Sequence, residues 1–266
     1  MRNPNHTDQQ IRNFFKEEGA EVTRLLQPLM ELSSHSSTLI LGYGGGEKAT
    51  RKELLPYFHV CGAGGGEEPV RALIVGGWSG EETTTTYAIA RFLASIEERL
   101  RLVSGIEVTA YPIANLEARR AGIAVTPEQE KEGVRFWCDS PFRHVRALEN
   151  ELRRYSYDLV IILREAAPAA DMEVNVWPDS EVSASIVRDA LNRYASAGTA
   201  FSWAFDPENG PFPRIFTPLP ESGNQPTEVL IALPGSRDQE EQANQGMGLL
   251  LTMLHAARQA KAEGVL

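Results

Sequence analysis

Cysteine is nearly absent from this chain: its 266 residues include two, Cys61 and Cys138. Two cysteines cannot build a disulfide framework, and these lack the C-x-x-C spacing of a zinc or redox site. The expectation for both is a buried free thiol. Histidine is scarce too. The five present, His6, His35, His59, His144 and His255, include no two placed one helical turn apart as a ligand pair would be, so each reads as a surface or core histidine. No apolar run approaches the roughly 18 residues of a membrane span. The N-terminal stretch MRNPNHTDQQIRNFFKEEG carries charge where a secretory signal has an apolar core, so the expected location is cytoplasmic. Positive charge is also in short supply. With 26 Lys and Arg against 36 Asp and Glu, the net charge is −10, which argues against nucleic acid or an anionic membrane as partner.

What is present is a hydrophobic content of 42% over 266 residues, enough for one large α/β domain covering 1–266. An amphipathic helix is expected over Gln9 to Leu32, within an N-terminal helical segment 1–32. Strands at Thr38 to Leu41 and Pro56 to Cys61 should pair as an antiparallel ribbon. The connection GYGGGEKAT between them lacks the G-x-x-x-x-G-K-[ST] spacing of a phosphate loop and reads as a turn. Ala72 to Val75, Ile106 to Ile113, Asp158 to Leu163 and Glu228 to Leu233 read as strands. The intervening helices start at Glu82, run through Val145, Leu148 and Leu152, cover Glu181 to Ala195, and close the chain from Asp238 to Lys261. Asn115 to Gly122 reads as a polar loop. Alternation of this kind implies a mostly parallel or mixed sheet sandwiched by helices. Asp206 to Pro226, with six prolines in 21 residues, reads as a loop over the sheet edge or a site.

The most informative stretch is RALIVGGWSGEE, Arg71 to Glu82: a buried strand, a glycine turn and a helix start that deliver a carboxylate to one place, at the kind of strand end where α/β proteins put their chemistry. It resembles the first metal-binding turn of the zinc carboxypeptidase superfamily, including its desuccinylase and aspartoacylase branch, which reads Gly-Gly-apolar-His-Gly-Asn/Asp-Glu. On that pattern Ser79 stands at the histidine and Glu82 at the glutamate. YPIANLEARRAG resembles the family's P-x-x-N-P-D-G loop and keeps Asn115. VRFWCDSP resembles its D-L-N-R-x-F-P motif, with Trp137 and Cys138 where the substrate-carboxylate clamp stands. YDLVIILREA resembles the strand that ends in the last zinc ligand and has Arg164 there. TEVLIALPG resembles the strand of the catalytic glutamate and has Ala232 there. The resemblance runs from about Met30 to the C-terminus.

The resemblance implies a zinc-carboxypeptidase-like, hydrolase-like fold. It also implies that the chemistry of three ligands, an open water position and a base is left with Glu82 alone. An arginine carries no lone pair for a metal. The expectation is therefore no cofactor, with zinc as the alternative, and a salt bridge between Glu82 and Arg164 in the metal's place. Trp78 and Trp137 could wall a ligand or fill vacated space. Ser79 and Cys138 have no identifiable base, and Glu81, Asp139 and Glu165 read as rim charges. Three functions follow: a non-catalytic protein binding a small molecule, peptide or protein partner through the degenerate cleft or its surroundings, a metal-dependent carboxypeptidase or N-acyl amino acid deacylase with unconventional ligands, or a structural subunit with the cleft packed shut.

Overall fold

Short apolar runs bounded by glycine, proline and polar residues become strands here because helices cover them on both faces. The computed structural model describes residues 20–44, 55–62, 68–123, 143–167, 170–197, 201–205, 226–235 and 238–264. In chain order these form α1 (Ala20–His35), β1 (Leu39–Gly44), β2 (Leu55–Cys61), β3 (Val70–Val75), α2 (Thr83–Glu98), a 3-10 turn (Leu100–Val103), β4 (Ile106–Tyr111) and α3 (Leu116–Ala121). There follow α4 (Arg143–Arg154), β5 (Leu159–Ala166), β6 (Glu173–Trp177), α5 (Glu181–Ser196), β7 (Ser202–Phe205), β8 (Thr227–Pro234) and α6 (Gln239–Ala262).

Among the described residues the strands make one mixed sheet in the order β1-β2-β4-β3-β5-β8-β6-β7. The four central strands, β4, β3, β5 and β8, are parallel. The β1–β2 ribbon joins antiparallel to β4, and β6 runs antiparallel to β8 with β7 parallel beside it. The chain leaves β3 for β4 on one side and returns to β5 on the other. That reversal makes the carboxyl end of β3 a topological switch point, where the crevice of such a sheet opens.

Helices α2, α5 and α6 pack side by side. Gly246 lets α6 approach closely, since a Cβ there would lie 2.9 Å from Leu233 and 3.1 Å from Ala88. Leu233 therefore faces α6. Because strand side chains alternate, Ala232 and its register partner Arg164 face the opposite side of the sheet. At the far end from the crevice, Lys261 Nζ donates to Asp158 Oδ2 at 2.9 Å and to Pro69 O at 3.1 Å. The same carboxylate oxygen accepts the Arg71 backbone N–H at 2.8 Å, so the last turn of α6 is tied to the starts of β3 and β5.

The fold class and the antiparallel ribbon agree with the sequence reading; several local features differ from it. Helix α1 continues to His35, three residues beyond the expected end, and 1–19 lie outside the described residues, as do most of the glycine-rich connection and all but the last residue of the proline-rich segment. The polar loop at Asn115 to Gly122 is instead the short helix α3. Asn115 caps its start by accepting from Ala118 N at 3.0 Å, and Gly122 ends it in the left-handed conformation, φ 61°. Strands β6 and β7 were not anticipated. Cys61 is exposed rather than buried, because it is the last residue of β2, past the part of the ribbon that the core covers. Its Sγ lies 3.1 Å from His59 Nε2, and partial burial and the nearby Glu107 push its pKa up.

Gly80 is a place where the fold tolerates no side chain: its N–H donates to Ile123 O at 3.0 Å, and a Cβ would fall inside the van der Waals radius of the Ala118 and Ile123 carbonyl oxygens. Gly80→Ala is expected to cost about 1–3 kcal/mol, the usual penalty of forcing atoms into a packed interior, read as a lower urea midpoint with an unchanged slope.

Candidate functional site

The site is assembled by the backbone beyond β3. Pairing with β4 continues past the strands: Gly76 N–H donates to Tyr111 O (2.9 Å), Ala114 N–H to Gly76 O (2.8 Å) and Asn115 N–H to Gly77 O (3.0 Å). Gly77 sits at φ 59°, and a Cβ there would lie 2.8 Å from the backbone of Pro112 and Ile113, so glycine is required on two counts. Its N–H donates to Thr85 Oγ1 at 3.0 Å, and Thr86 Oγ1 donates to Pro112 O at 2.9 Å. The threonines of α2 thus fasten the helix start to both strand ends, and Trp78 to Glu82 lie above β3.

Glu82 is the centre of what results. Its carboxylate is buried, with Oε2 accepting the Trp78 backbone N–H at 2.9 Å and Oε1 accepting Arg164 Nε at 2.7 Å. Arg164 rises from β5 and is 3% exposed, against 5% for the Glu82 side chain. The fully buried Arg119, from α3, donates through Nη2 to the Glu82 carbonyl. Glu82 does not cap α2 with its own side chain. Glu165 does so, its Oε2 accepting Thr84 N–H at 2.9 Å. Burial raises the Glu165 pKa, the Thr84 N–H works against that, and the Glu82 charge adds to it.

Beside this cluster, His144 of α4 meets the Trp78 ring edge-on, centroids 5.1 Å apart. Burial, with Arg164 adding to it, lowers the His144 pKa to about 4, so the imidazole is neutral at pH 7. The cluster is a desolvated, hydrogen-bonded arrangement of charges and an indole at the carboxyl ends of β3 and β5, sealed from water.

Solved structures with this arrangement of strands and helices include a metallo-carboxypeptidase from Burkholderia cenocepacia, with 10% identity and a TM-score of 0.64, matched over 92% of this chain and 69% of that one. The chain has a metallo-carboxypeptidase-like fold. A metallo-carboxypeptidase from Pseudomonas aeruginosa, solved with (2-guanidinoethylmercapto)succinic acid, matches with 12% identity and a TM-score of 0.60 over 86% of this chain and 67% of that one. Thrombin activatable fibrinolysis inhibitor matches with 10% identity and a TM-score of 0.62 over 90% and 73%. At such identities the likeness is one of fold. No protein-family model and no curated protein sequence matches the chain.

Within the carboxypeptidase-like fold the residues singled out from sequence have distinct fates. Ser79 and Glu82 share the turn beyond β3, both buried, with Ser79 O accepting Glu82 N–H at 3.3 Å. Arg164 meets Glu82. Asn115 is adjacent, but its side chain is spent on capping α3. Ala232 lies on β8 opposite Arg164 on one side and Glu173 of β6 on the other, in a small apolar cluster with Trp177 and Leu230. Trp78 is buried as packing against His144. Trp137, Cys138 and Asp139 lie outside the described residues. Glu81 is exposed, as a rim charge would be, whereas Glu165 is a helix cap. Sequence reasoning missed Arg119 and His144. No local pattern marks either, although an arginine inside a run flanked by Asn115 and Gly122 would have stood out had the helix been recognised.

The buried pair makes a sharp energetic prediction. Arg164→Met strands the Glu82 carboxylate and should cost about 3–5 kcal/mol, the range for breaking a buried ion pair. Glu82→Gln with Arg164→Met should recover much of that loss, and the urea-derived coupling energy of the four-protein cycle checks it.

His144 makes a second prediction. Its folded pKa, about 4, lies below the ordinary 6.5, so the unfolded chain binds the proton more readily. Its share of stability is complete above about pH 6.5 and falls away as pH drops towards 4, by on the order of 3 kcal/mol. His144→Phe should flatten this acid limb of urea stability measured from pH 7 to 4.

Proposed function

We propose that the chain is a non-catalytic carboxypeptidase-like protein that recognises a small molecule, peptide or protein partner at the surface around the old cleft. The observation that carries this reading is the state of Glu82, a buried carboxylate with each oxygen hydrogen-bonded, one to a guanidinium and one to a backbone N–H. A zinc ion does not fit the residues present. Ser79 supplies a neutral hydroxyl, Arg164 has no lone pair, and Ala232 carries no base. Among the described residues no three His, Cys, Asp or Glu side chains converge to hold a metal. A hydrolase built on this fold needs metal ligands, an open water position and a carboxylate base, and these side chains offer no such set.

A second reading is favoured by burial. Ser79, Glu82, Asn115, Arg164 and Ala232 are all buried, so the floor of the cleft is packed as a structural subunit with a filled cleft would have it. The two readings share a solid floor and differ in whether the rim binds anything. Among the described residues, no helix is long and apolar enough to cross a membrane.

Elemental analysis of protein purified without chelator, then dialysed after excess Zn²⁺, should find far less than one zinc per chain. Assays on peptides with free C-termini and on N-acyl amino acids should find no turnover. Zinc near one per chain, with hydrolysis lost in Glu82→Ala, would replace this reading with that of a metal-dependent hydrolase using unconventional ligands.

A further inference from the structure

We infer that Arg164 is the resident cation of this site and the residue that keeps divalent metal ions away from Glu82. This rests on the non-catalytic reading above and supplies a chemical cause for it. A carboxylate removed from water must be compensated by positive charge and hydrogen bonds. That charge can come from a metal ion or from a side chain, and here the side chain is in place: Nε on Oε1 at 2.7 Å, with the Trp78 N–H on Oε2 at 2.9 Å.

A guanidinium stays protonated at any ordinary pH, so the charge cannot be titrated away to make room. A metal bound to Glu82 at the usual zinc–oxygen distance of about 2.0–2.2 Å would share its oxygens with these donors and sit close to the guanidinium. Its repulsion there would be strengthened by the low polarity of a site in which Trp78, Glu82 and Arg164 are all buried. Arg119, bonded to the Glu82 carbonyl, places a second guanidinium against the same residue. Among the described residues, Glu165, held by α2, and His144, held against Trp78, are ionisable neighbours of the pair. Neither is needed to neutralise Glu82.

The site should then behave as a cradle shaped for a guanidinium rather than for a metal. In wild-type protein, neither excess Zn²⁺ nor a chelator should move Tm. Arg164→Ala opens the space the guanidinium filled. That variant should melt well below wild type and regain about 3 °C or more on addition of about 20 mM guanidinium chloride, as expected when a ligand binds the folded state alone. Urea or NaCl at the same concentration should not reproduce the gain.

Should Arg164→Ala fail to fold, the comparison passes to Glu82→Gln/Arg164→Met. Folding of the double variant alone supports the inference, and failure of both overturns it. A Zn²⁺-induced rise in wild-type Tm that vanishes in Glu82→Gln also overturns it, as does an Arg164→Ala protein as stable as wild type and indifferent to guanidinium. Failure of the functional reading looks different: turnover of a peptide or N-acyl amino acid by zinc-free protein would reject the non-catalytic assignment and leave the role of Arg164 standing.

Discussion

A carboxylate and a guanidinium, both withdrawn from water, hold the centre of this molecule. Desolvating two charges is costly, and their attraction repays it only when geometry is good and the remaining polar atoms are satisfied. Both conditions shape what surrounds the pair. The turn beyond β3 must place the Trp78 N–H on the free oxygen of Glu82, which requires the left-handed Gly77. Strand β5 must present Arg164 on the face away from α6. The indole of Trp78 and the neutral ring of His144 pack the space beside the pair without adding charge.

Strand β5 serves two tasks through its two-residue period. Arg164 faces one side of the sheet and compensates Glu82. Glu165 faces the other and accepts the Thr84 N–H at the start of α2, a cap that helix would otherwise take from its own N-cap residue. Glu82 is free to face Arg164 because its neighbour in space has taken over the capping. Consecutive residues of one strand therefore fix both the orientation of a helix and the partner of its first carboxylate.

Much of the architecture was legible because burial on both faces writes itself into sequence as an apolar run. RALIV, DLVIIL and EVLIAL could hardly be anything but central strands, and the glycine turn after RALIV located the start of α2. Legibility failed where the signal was short. Strand β6, EVNVW, alternates its valines over five residues only, and β7 is shorter still. Helix α3 offers six residues whose identity rests on its two ends, Asn115 and Gly122, and without the cap geometry they read as a polar loop. Cys61 was misplaced because a residue type's average burial says nothing about the last position of a ribbon strand.

The sequence by itself determined the succession of the central strands and the longer helices, the glycine turn after β3 and the identity of the charged residues at the strand ends, since these follow from local periodicity and turn chemistry. Local periodicity does not say which of those charges meet: the Glu82–Arg164 pair was expected from the family resemblance, and the tertiary structure makes the contact. Glu82 and Arg164 lie 82 residues apart, and Arg119 and His144 join the cluster from α3 and α4. Pairing across such distances depends on strand order and register, and no local pattern in the chain encodes those.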